Sequence, residues 1–508
     1  MAIHNEIEFE NDICDYLAGN GWLYAEKDAA DYDRQLALFP ADVIAWVQQT
    51  DPTAWETLTK NHGAAVEAIL LKRLRDCLDQ SGTLHVIRNG FDVLGLRKPL
   101  RMAQFKPALA MNPDIMQRYD ANRLRVVRQV KYSTYNENSI DLVLFLNGIP
   151  VATVELKTDN TQSIEDAVYQ YKKDRHPHPK GQNPEPLLTF PSGALVHFAV
   201  SSSLVRMTTH LKGGGTHFLP FDLGDGGASG NPLNPDGYRT SYLWEQVWQT
   251  DSWLEILGRY MVAEKDEKKQ IVKLIFPRYH QLDATRRLQA AVLAEGAGQK
   301  YLIQHSAGSG KTNSIAWSAH FLADLHDAEN KKIFDTVLVV SDRKVIDGQL
   351  QDAIDAFERT AGVVSTITGD KGSKSAELAE ALSGDKKIVV CTIQTFPFAM
   401  RAVRELAATE DKRFAVIADE AHSSQSGEAA SKLKQILSAE EQKELDDGAP
   451  VSSEDLLAAQ MASRAADAGI TYVAFTATPK AKTLELFGRL PDPTQPPSEE
   501  NLPQPFHV

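Results

Sequence analysis

The stretch YLIQHSAGSGKT at 301–312 constrains this chain more than any other. Tyr301 to Gln304 read as a short buried strand, the glycines permit a tight turn, and the polar periodicity resumes after Thr312 as a helix. A loop set between strand and helix in this way closes around phosphate. Gly308 and Gly310 let backbone amides approach phosphate oxygens, Lys311 reaches the terminal phosphates as a point charge, and Thr312 offers a hydroxyl to Mg²⁺. Ser306, Ala307 and Ser309 complete the loop, and His305 stands at the first position, where the usual pattern has glycine. The competing reading is a Gly/Ser turn that merely precedes a helix. Carboxylates further along the chain weigh against it.

Those carboxylates lie in a region that alternates strands and helices. Strands are expected at 336–341, 363–368, 387–392, 414–419 and 471–476; with 301–304 they make a mostly parallel sheet covered on both faces. DEAH, Asp419 to His422, falls at the carboxyl end of its strand. There Asp419 is placed to hold Mg²⁺ through water and Glu420 to polarise the attacking water of a nucleotide triphosphate. His422 is positioned to link nucleotide state to Thr476 and Thr478 at the end of the next central strand. Upstream, Tyr279 and Gln281 are expected to meet an adenine, the ring by stacking and the amide by pairing with its donor and acceptor edge. One acidic tetrapeptide is weak evidence. A phosphate loop, DEAH and TATP in this order on separate strands are strong evidence for an ATP site.

The N-terminal half opens with an expected helix at 5–18, whose apolar positions are Ile7, Phe9, Ile13 and Leu17 and whose Glu6 and Glu10 lie one turn apart. A second helix is expected over 66–78, then strands at 83–88, 91–96, 126–132, 140–146 and 149–157. Two of these strands carry chemistry. Period-2 geometry puts Asp141, Val143 and Phe145 on one face of SIDLVLFLNG, and Val151, Thr153, Glu155 and Lys157 on one face of IPVATVELK, with the Asn147-Gly148 hairpin signal between the runs. Two carboxylates held a few ångströms apart repel unless a cation neutralises them. Asp141 and Glu155 holding Mg²⁺, with Lys157 to orient or deprotonate a water, suit phosphodiester hydrolysis. Taken alone, Glu-x-Lys is also the ordinary alternation of a solvated strand. The apolar strand ending in a lone Asp and the ATP site downstream favour the hydrolytic centre.

Residues 163–173 fit a helix started by Ser163 with Asp166 at the third position. Its Gln170 is either a side approach to the same centre or a surface glutamine. Residues 176–193 are loop, and His176 and His178 find no third ligand for a metal. A strand is expected at 194–200, a long loop at 212–237, a packed helical region at 241–262, and solvated surface at 263–270. The resulting division is 1–260, 261–490 and a linker at 491–508.

Composition sets the outer bounds. A chain of 508 residues with 43% hydrophobic content holds two to four domains. Its three cysteines, Cys14, Cys77 and Cys391, are too far apart in sequence for a metal cluster or a disulfide framework. No apolar run spans a bilayer and Glu6, Glu8 and Glu10 stand where a signal peptide would be basic then apolar, so no membrane partner and a cytoplasmic location are expected. A formal charge of −14 rules out a uniformly basic coating, while leaving room for a locally positive channel that holds nucleic acid.

Together these motifs resemble the N-terminal part of the restriction, or motor, subunit of type I restriction-modification enzymes. The resemblance implies a restriction-endonuclease-like mixed-sheet domain followed by a RecA-like parallel-sheet lobe of the superfamily 2 helicase type. It implies nuclease residues at Asp141, Glu155 and Lys157, an adenine-recognising glutamine at Gln281, a phosphate loop at Ser306–Thr312 and further motor motifs at Asp419–His422 and Thr476–Thr478. SDRKVIDGQL at 341–350 and TIQTF at 392–396 resemble motor segments that touch the DNA backbone. ATP and Mg²⁺ are the implied cofactors, and the implied partners are double-stranded DNA and the modification and specificity subunits. The family's Gln-x-x-x-Tyr element is altered: four residues after Gln170 stands Asp174, with Tyr169 and Tyr171 beside the glutamine. A complete motor of this class needs a second lobe, which the roughly 29 residues after TATP cannot form, so a fragment is expected. The rival readings are a DNA repair helicase with a non-catalytic accessory domain and a nucleotide-controlled scaffold without catalysis.

Overall fold

The computed structural model describes residues 2–107, 112–159, 162–341, 350, 352–355, 357, 363–367, 374–384, 386–392, 395–419, 469–479 and 481–508. The chain divides into two compact units, Met1–Tyr279 and His280–Val508. It is an α/β protein.

The first unit is built on a six-stranded mixed sheet whose order follows the chain: β1 (Leu124–Lys131), β2 (Ser139–Leu146), β3 (Ile149–Leu156), β4 (Val196–Val200), β5 (Val205–Thr208) and β6 (Leu219–Pro220). All neighbours are antiparallel except β3 and β4, which run parallel. A parallel step needs a crossover, and the helix Ile164–Lys173 lies within it. That helix starts as its sequence dictates, Asp166 Oδ2 accepting the Ser163 N–H at 2.7 Å. Ile164, Ala167, Val168 and Tyr171 bury its inner face in one core cluster with Val143 and Phe145 of β2. The opening helix, Ala2–Gly19, buries Phe9, Ile13 and Leu17 and leaves Ile7 at the surface.

Two segments expected as strands are not strands. Residues 83–88 belong to the helix Thr83–Asn89, and within 91–96 only Phe91 pairs, in an isolated bridge to Leu100. Short apolar runs are ambiguous by periodicity, and here Leu84 and Ile87, one turn apart, are both buried from a helix. The solvated stretch near 263–270 forms the exposed end of a two-stranded hairpin, β7 (Val262–Lys265) with β8 (Ile271–Ile275).

The second unit contains β9 (Lys300–Gln304), β10 (Thr336–Ser341), β11 (Val364–Thr366), β12 (Ile388–Thr392), β13 (Phe414–Asp419) and β14 (Ile470–Thr476) in one sheet of order β11-β12-β10-β13-β14-β9. Every pairing is parallel. β13 and β14 are buried along their whole length, as strands covered on both faces must be. Residues beyond 490 return to this sheet: the Phe506 N–H donates to Leu302 O at 2.8 Å and the Gln304 N–H to His507 O at 2.8 Å. Among the described residues no helix is long and apolar enough to cross a membrane, and the three cysteines are free and buried.

The β2–β3 turn starts the hairpin, and a register shift between Leu144 and Phe145 completes the pairing on which the site depends. Asn147 and Gly148 take φ values of +50° and +80°, the signs a tight two-residue turn requires. Helix Pro40–Thr50 begins so close to the turn that a Cβ on Gly148 would stand 2.5 Å from Phe39 O and 2.8 Å from Val43 N. Gly148→Ala is therefore expected to destabilise the protein by more than about 1 kcal/mol in urea denaturation; an unchanged midpoint would show that the turn yields without cost.

Candidate functional site

The register that pairs Leu142 with Val154 and Val143 with Thr153 sets Asp141 opposite Glu155 when continued toward the open end of the hairpin. Asp141 Oδ2 accepts the Leu156 N–H at 2.7 Å, which ties the carboxylate to the neighbouring strand. Glu155 is 1% exposed. Burial, and then the charge of Asp141, push its carboxyl up to about 8, against the opposing pull of Arg175 and Lys157. Arg175 Nε donates to Glu155 Oε1 at 2.6 Å, and Arg175 Nη2 donates to Ser139 O at 2.8 Å. Lys157, just past the end of β3 and 5% exposed, forms an ion pair with Glu6 Oε1 at 3.1 Å. The structure thus gathers the three residues expected at this centre and adds Arg175 and Glu6.

Glu155 Oε2 is buried and has no hydrogen-bond partner among the described residues. An orphaned carboxylate oxygen beside a second carboxylate is what a cation-binding pair looks like without its cation. Among the described residues no group of three or more His, Cys, Asp or Glu side chains is placed to hold a metal. A pair of carboxylates suits Mg²⁺, which keeps several waters and takes few protein ligands.

Gln170 lies in the last turn of its helix, and its main-chain oxygen accepts from the Asp174 N–H at 2.8 Å and the Arg175 N–H at 3.1 Å. Its backbone therefore shapes the turn that delivers Arg175, while its side-chain oxygen is buried without a partner among the described residues. Of the flanking tyrosines, Tyr169 is exposed and Tyr171 buried. Thr153 Oγ1 lies 2.8 Å from Tyr171 Oη and 2.7 Å from His197 Nδ1, and burial holds the His197 ring neutral by lowering its pKa to about 3.

In the second unit, Gly308 and Gly310 have φ values of +78° and +84°, and Gly310 caps the helix Lys311–Ala323. Ser306, Ala307 and Gly308 are exposed, Ser309 is buried, and Lys311 and Thr312 are half-buried at the first turn of a thirteen-residue helix, where backbone N–H groups favour an anion. The parallel order carries Asp419 and Thr476 to the same end of the sheet: Asp419 pairs with Phe475, Thr476 pairs with Gln304, and the His305 N–H donates to Thr476 O at 2.8 Å. The Thr478 N–H donates to Thr476 Oγ1 at 3.2 Å. Gln281 is buried, its Nε2 donating to Gly310 O at 2.9 Å and Ser309 O at 3.3 Å, so its amide braces the phosphate loop. Tyr279 belongs to the first unit, its ring edge-on to Phe221 and Tyr242. Glu420, His422, residues 342–349, Ile393 and Gln394 lie outside the described residues.

Sequence reasoning missed several contacts here. His507 lies 3.2 Å from His305 Nε2 through Nδ1 and 3.1 Å from Asp283 Oδ2 through Nε2, seating the loop's first residue on the returning C-terminal segment. Arg175 carried no signal beyond being a cation in a Pro-rich stretch. Glu6 was visible as one member of an i, i+4 pair, but nothing local joins it to Lys157, 151 residues away. Removing Arg175 leaves Glu155 Oε1 and Ser139 O without their donor, so Arg175→Ala is expected to cost about 1–3 kcal/mol in denaturant unfolding. Adding Glu155→Ala should restore part of that loss, and a double variant no more stable than Arg175→Ala would show that the pair is not coupled.

Comparison with known proteins finds separate matches in the two units. Residues 47–215 match the family model described as type I restriction enzyme R protein N terminus, and residues 280–492 match the SWI2/SNF2 ATPase model. The chain is 23% identical over 338 residues to the "Putative type I restriction enzyme MjaVIIIP endonuclease subunit" of Methanocaldococcus jannaschii, an alignment covering 59% of this chain and 29% of that protein. It is 24% identical over 437 residues to the type I restriction enzyme HindI endonuclease subunit of Haemophilus influenzae, covering 83% of this chain and 39% of that one. The chain thus spans about a third of the length of these curated relatives. A solved fragment titled as a "putative HsdR subunit of a type I restriction enzyme" from Vibrio vulnificus aligns with 70% of this chain and 49% of its own at 15% identity, with a TM-score of 0.23, too low to compare the folds. At low identity and over part of its length, the chain therefore matches type I restriction-enzyme R subunits in its first unit and SWI2/SNF2 ATPases in its second.

Proposed function

We propose that this chain is the nuclease and first motor lobe of a type I restriction subunit, which uses ATP to translocate double-stranded DNA and cleaves it in a Mg²⁺-dependent reaction. The observation that carries the reading is the pairing of Asp141 with buried Glu155 beside Lys157, inside the segment that matches the R protein N terminus. A separate unit bearing a phosphate loop accompanies it, as a motor that feeds a nuclease requires. The modification and specificity subunits of such an enzyme are the proposed partners, a reading supported by the match of residues 47–215 to the R protein N terminus.

Asp141 and Glu155 are the residues that would hold Mg²⁺, which when bound polarises the scissile phosphate and acidifies a water. Glu155 would offer the unpartnered Oε2 to the ion while Oε1 accepts from Arg175 Nε. Lys157 Nζ, held as an ammonium beside Glu6, would orient the attacking water by donating to it. In the second unit Lys311 and the backbone amides after Gly308 would hold the nucleotide phosphates, Thr312 and Asp419 would hold its Mg²⁺, and Glu420 would orient water. Gln281, braced on the loop carbonyls, is the proposed adenine contact of this unit.

Asp141→Ala, Glu155→Ala and Lys157→Ala should each lower DNA cleavage by the assembled enzyme at least about a hundredfold while ATP hydrolysis continues. Lys311→Ala and Asp419→Ala should stop translocation and the cleavage that depends on it. A folded Glu155→Ala enzyme that cleaves at the wild-type rate would remove the nuclease assignment; a Lys311→Ala enzyme that still translocates would remove the motor assignment.

A further inference from the structure

We propose that the first helix is a working part of the nuclease centre: Glu10, acting through Gln129, positions Asp141, and Glu6 positions Lys157. This rests on the roles assigned above to Asp141, Glu155 and Lys157. Glu6 and Glu10 lie one turn apart in the helix Ala2–Gly19 and so share a face. Glu6 Oε1 takes the Lys157 ammonium at 3.1 Å. One turn on, Glu10 is 3% exposed, its Oε1 accepting from Arg128 Nε at 2.9 Å and its Oε2 from Gln129 Nε2 at 3.1 Å.

The same Gln129 nitrogen donates to Asp141 Oδ1 at 3.3 Å, and the amide oxygen accepts from Ser139 Oγ at 3.0 Å. The two carboxylates decide which way the amide faces: as acceptors they take its nitrogen between them, which turns its oxygen toward the Ser139 hydroxyl. With Oδ2 on the Leu156 N–H, Asp141 is held through both oxygens, and the directions left open to a cation are set. Contacts of this outer kind orient metal-binding carboxylates and tune their affinity.

A second observation separates this from simple helix docking. Gln129 has φ of +51°, and the β1–β2 ladder passes over it, Arg128 pairing with Leu142 and Val130 with Ile140. A non-glycine residue takes this conformation inside a strand only when its surroundings impose it, and such strain gathers at working sites. Docking alone has no need of it, because Arg128 already joins the helix to the sheet through Glu10 and through Asn11 Oδ1 at 2.5 Å.

The test compares Gln129→Asn, Glu10→Ala and Glu6→Ala with Glu155→Ala as reference. It measures Mn²⁺ binding to this chain by electron paramagnetic resonance, thermal unfolding, and DNA cleavage by the assembled enzyme. Gln129→Asn keeps a residue that tolerates positive φ and withdraws the amide by one methylene, leaving Glu10 on Arg128. Gln129→Asn and Glu10→Ala should each weaken Mn²⁺ binding about tenfold or more, the former with Tm unchanged. Glu6→Ala should leave Mn²⁺ affinity in place and slow cleavage about tenfold, with Glu6→Gln, which keeps an acceptor for Lys157, recovering part of the rate. Wild-type Mn²⁺ affinity in Glu155→Ala would overturn the metal-centre reading and this proposal with it. Lost affinity in Glu155→Ala, with wild-type affinity in both Gln129→Asn and Glu10→Ala, would overturn this proposal alone.

Discussion

A carboxylate near the end of a strand whose eight residues are all buried is the group around which the first unit is arranged. Glu155 lies against Asp141, and removing both charges from water is costly unless something answers them. Arg175 reaches it from the turn after the crossover helix, Lys157 follows on the same strand face, and Glu6 answers Lys157 in turn. Buried ion pairs of this kind contribute little net stability compared with apolar packing of the same volume. Their presence at the open end of a tight hairpin is better explained by what a pair of carboxylates can bind than by what it adds to folding.

Much of this was legible in the sequence because it is local. The Asn147-Gly148 turn joins the two strands, but the register it starts, Leu146 with Ile149, would set Asp141 against Val154; a shift of one residue between Leu144 and Phe145, which no local signal marks, brings Glu155 opposite Asp141. In the second unit the phosphate loop, Asp419 and Thr476 needed only their strands to run parallel for their carboxyl ends to meet. What stayed hidden depends on contacts between distant segments. No pattern near Glu6 points to Lys157, and nothing in the word Arg-His-Pro-His marks Arg175 as the counter-charge of Glu155. Gln129 reads as an ordinary strand residue, and its left-handed backbone is visible only in the folded sheet. The helix at Thr83–Asn89 was misread because a run of four to six apolar and polar residues carries too little periodicity to tell strand from helix.

The phosphate loop illustrates how one residue can serve the fold before it serves a ligand. Gln281 is tied to the carbonyls of Ser309 and Gly310, and the loop's first residue, His305, is seated against His507. The glycines provide the turn, while these contacts hold it in place. An exposed loop held in this way at a helix N-terminus has the geometry that favours an anion.

A cation shared by Asp141 and Glu155 is the centre of the proposed nuclease. Crystals of this chain grown with millimolar Mn²⁺ and measured at the manganese absorption edge test it most directly. An anomalous peak between the two carboxylates, with Glu155 Oε2 turned to it, is the predicted result. Full density for both side chains with no peak between them, or manganese only at other residues, would contradict it.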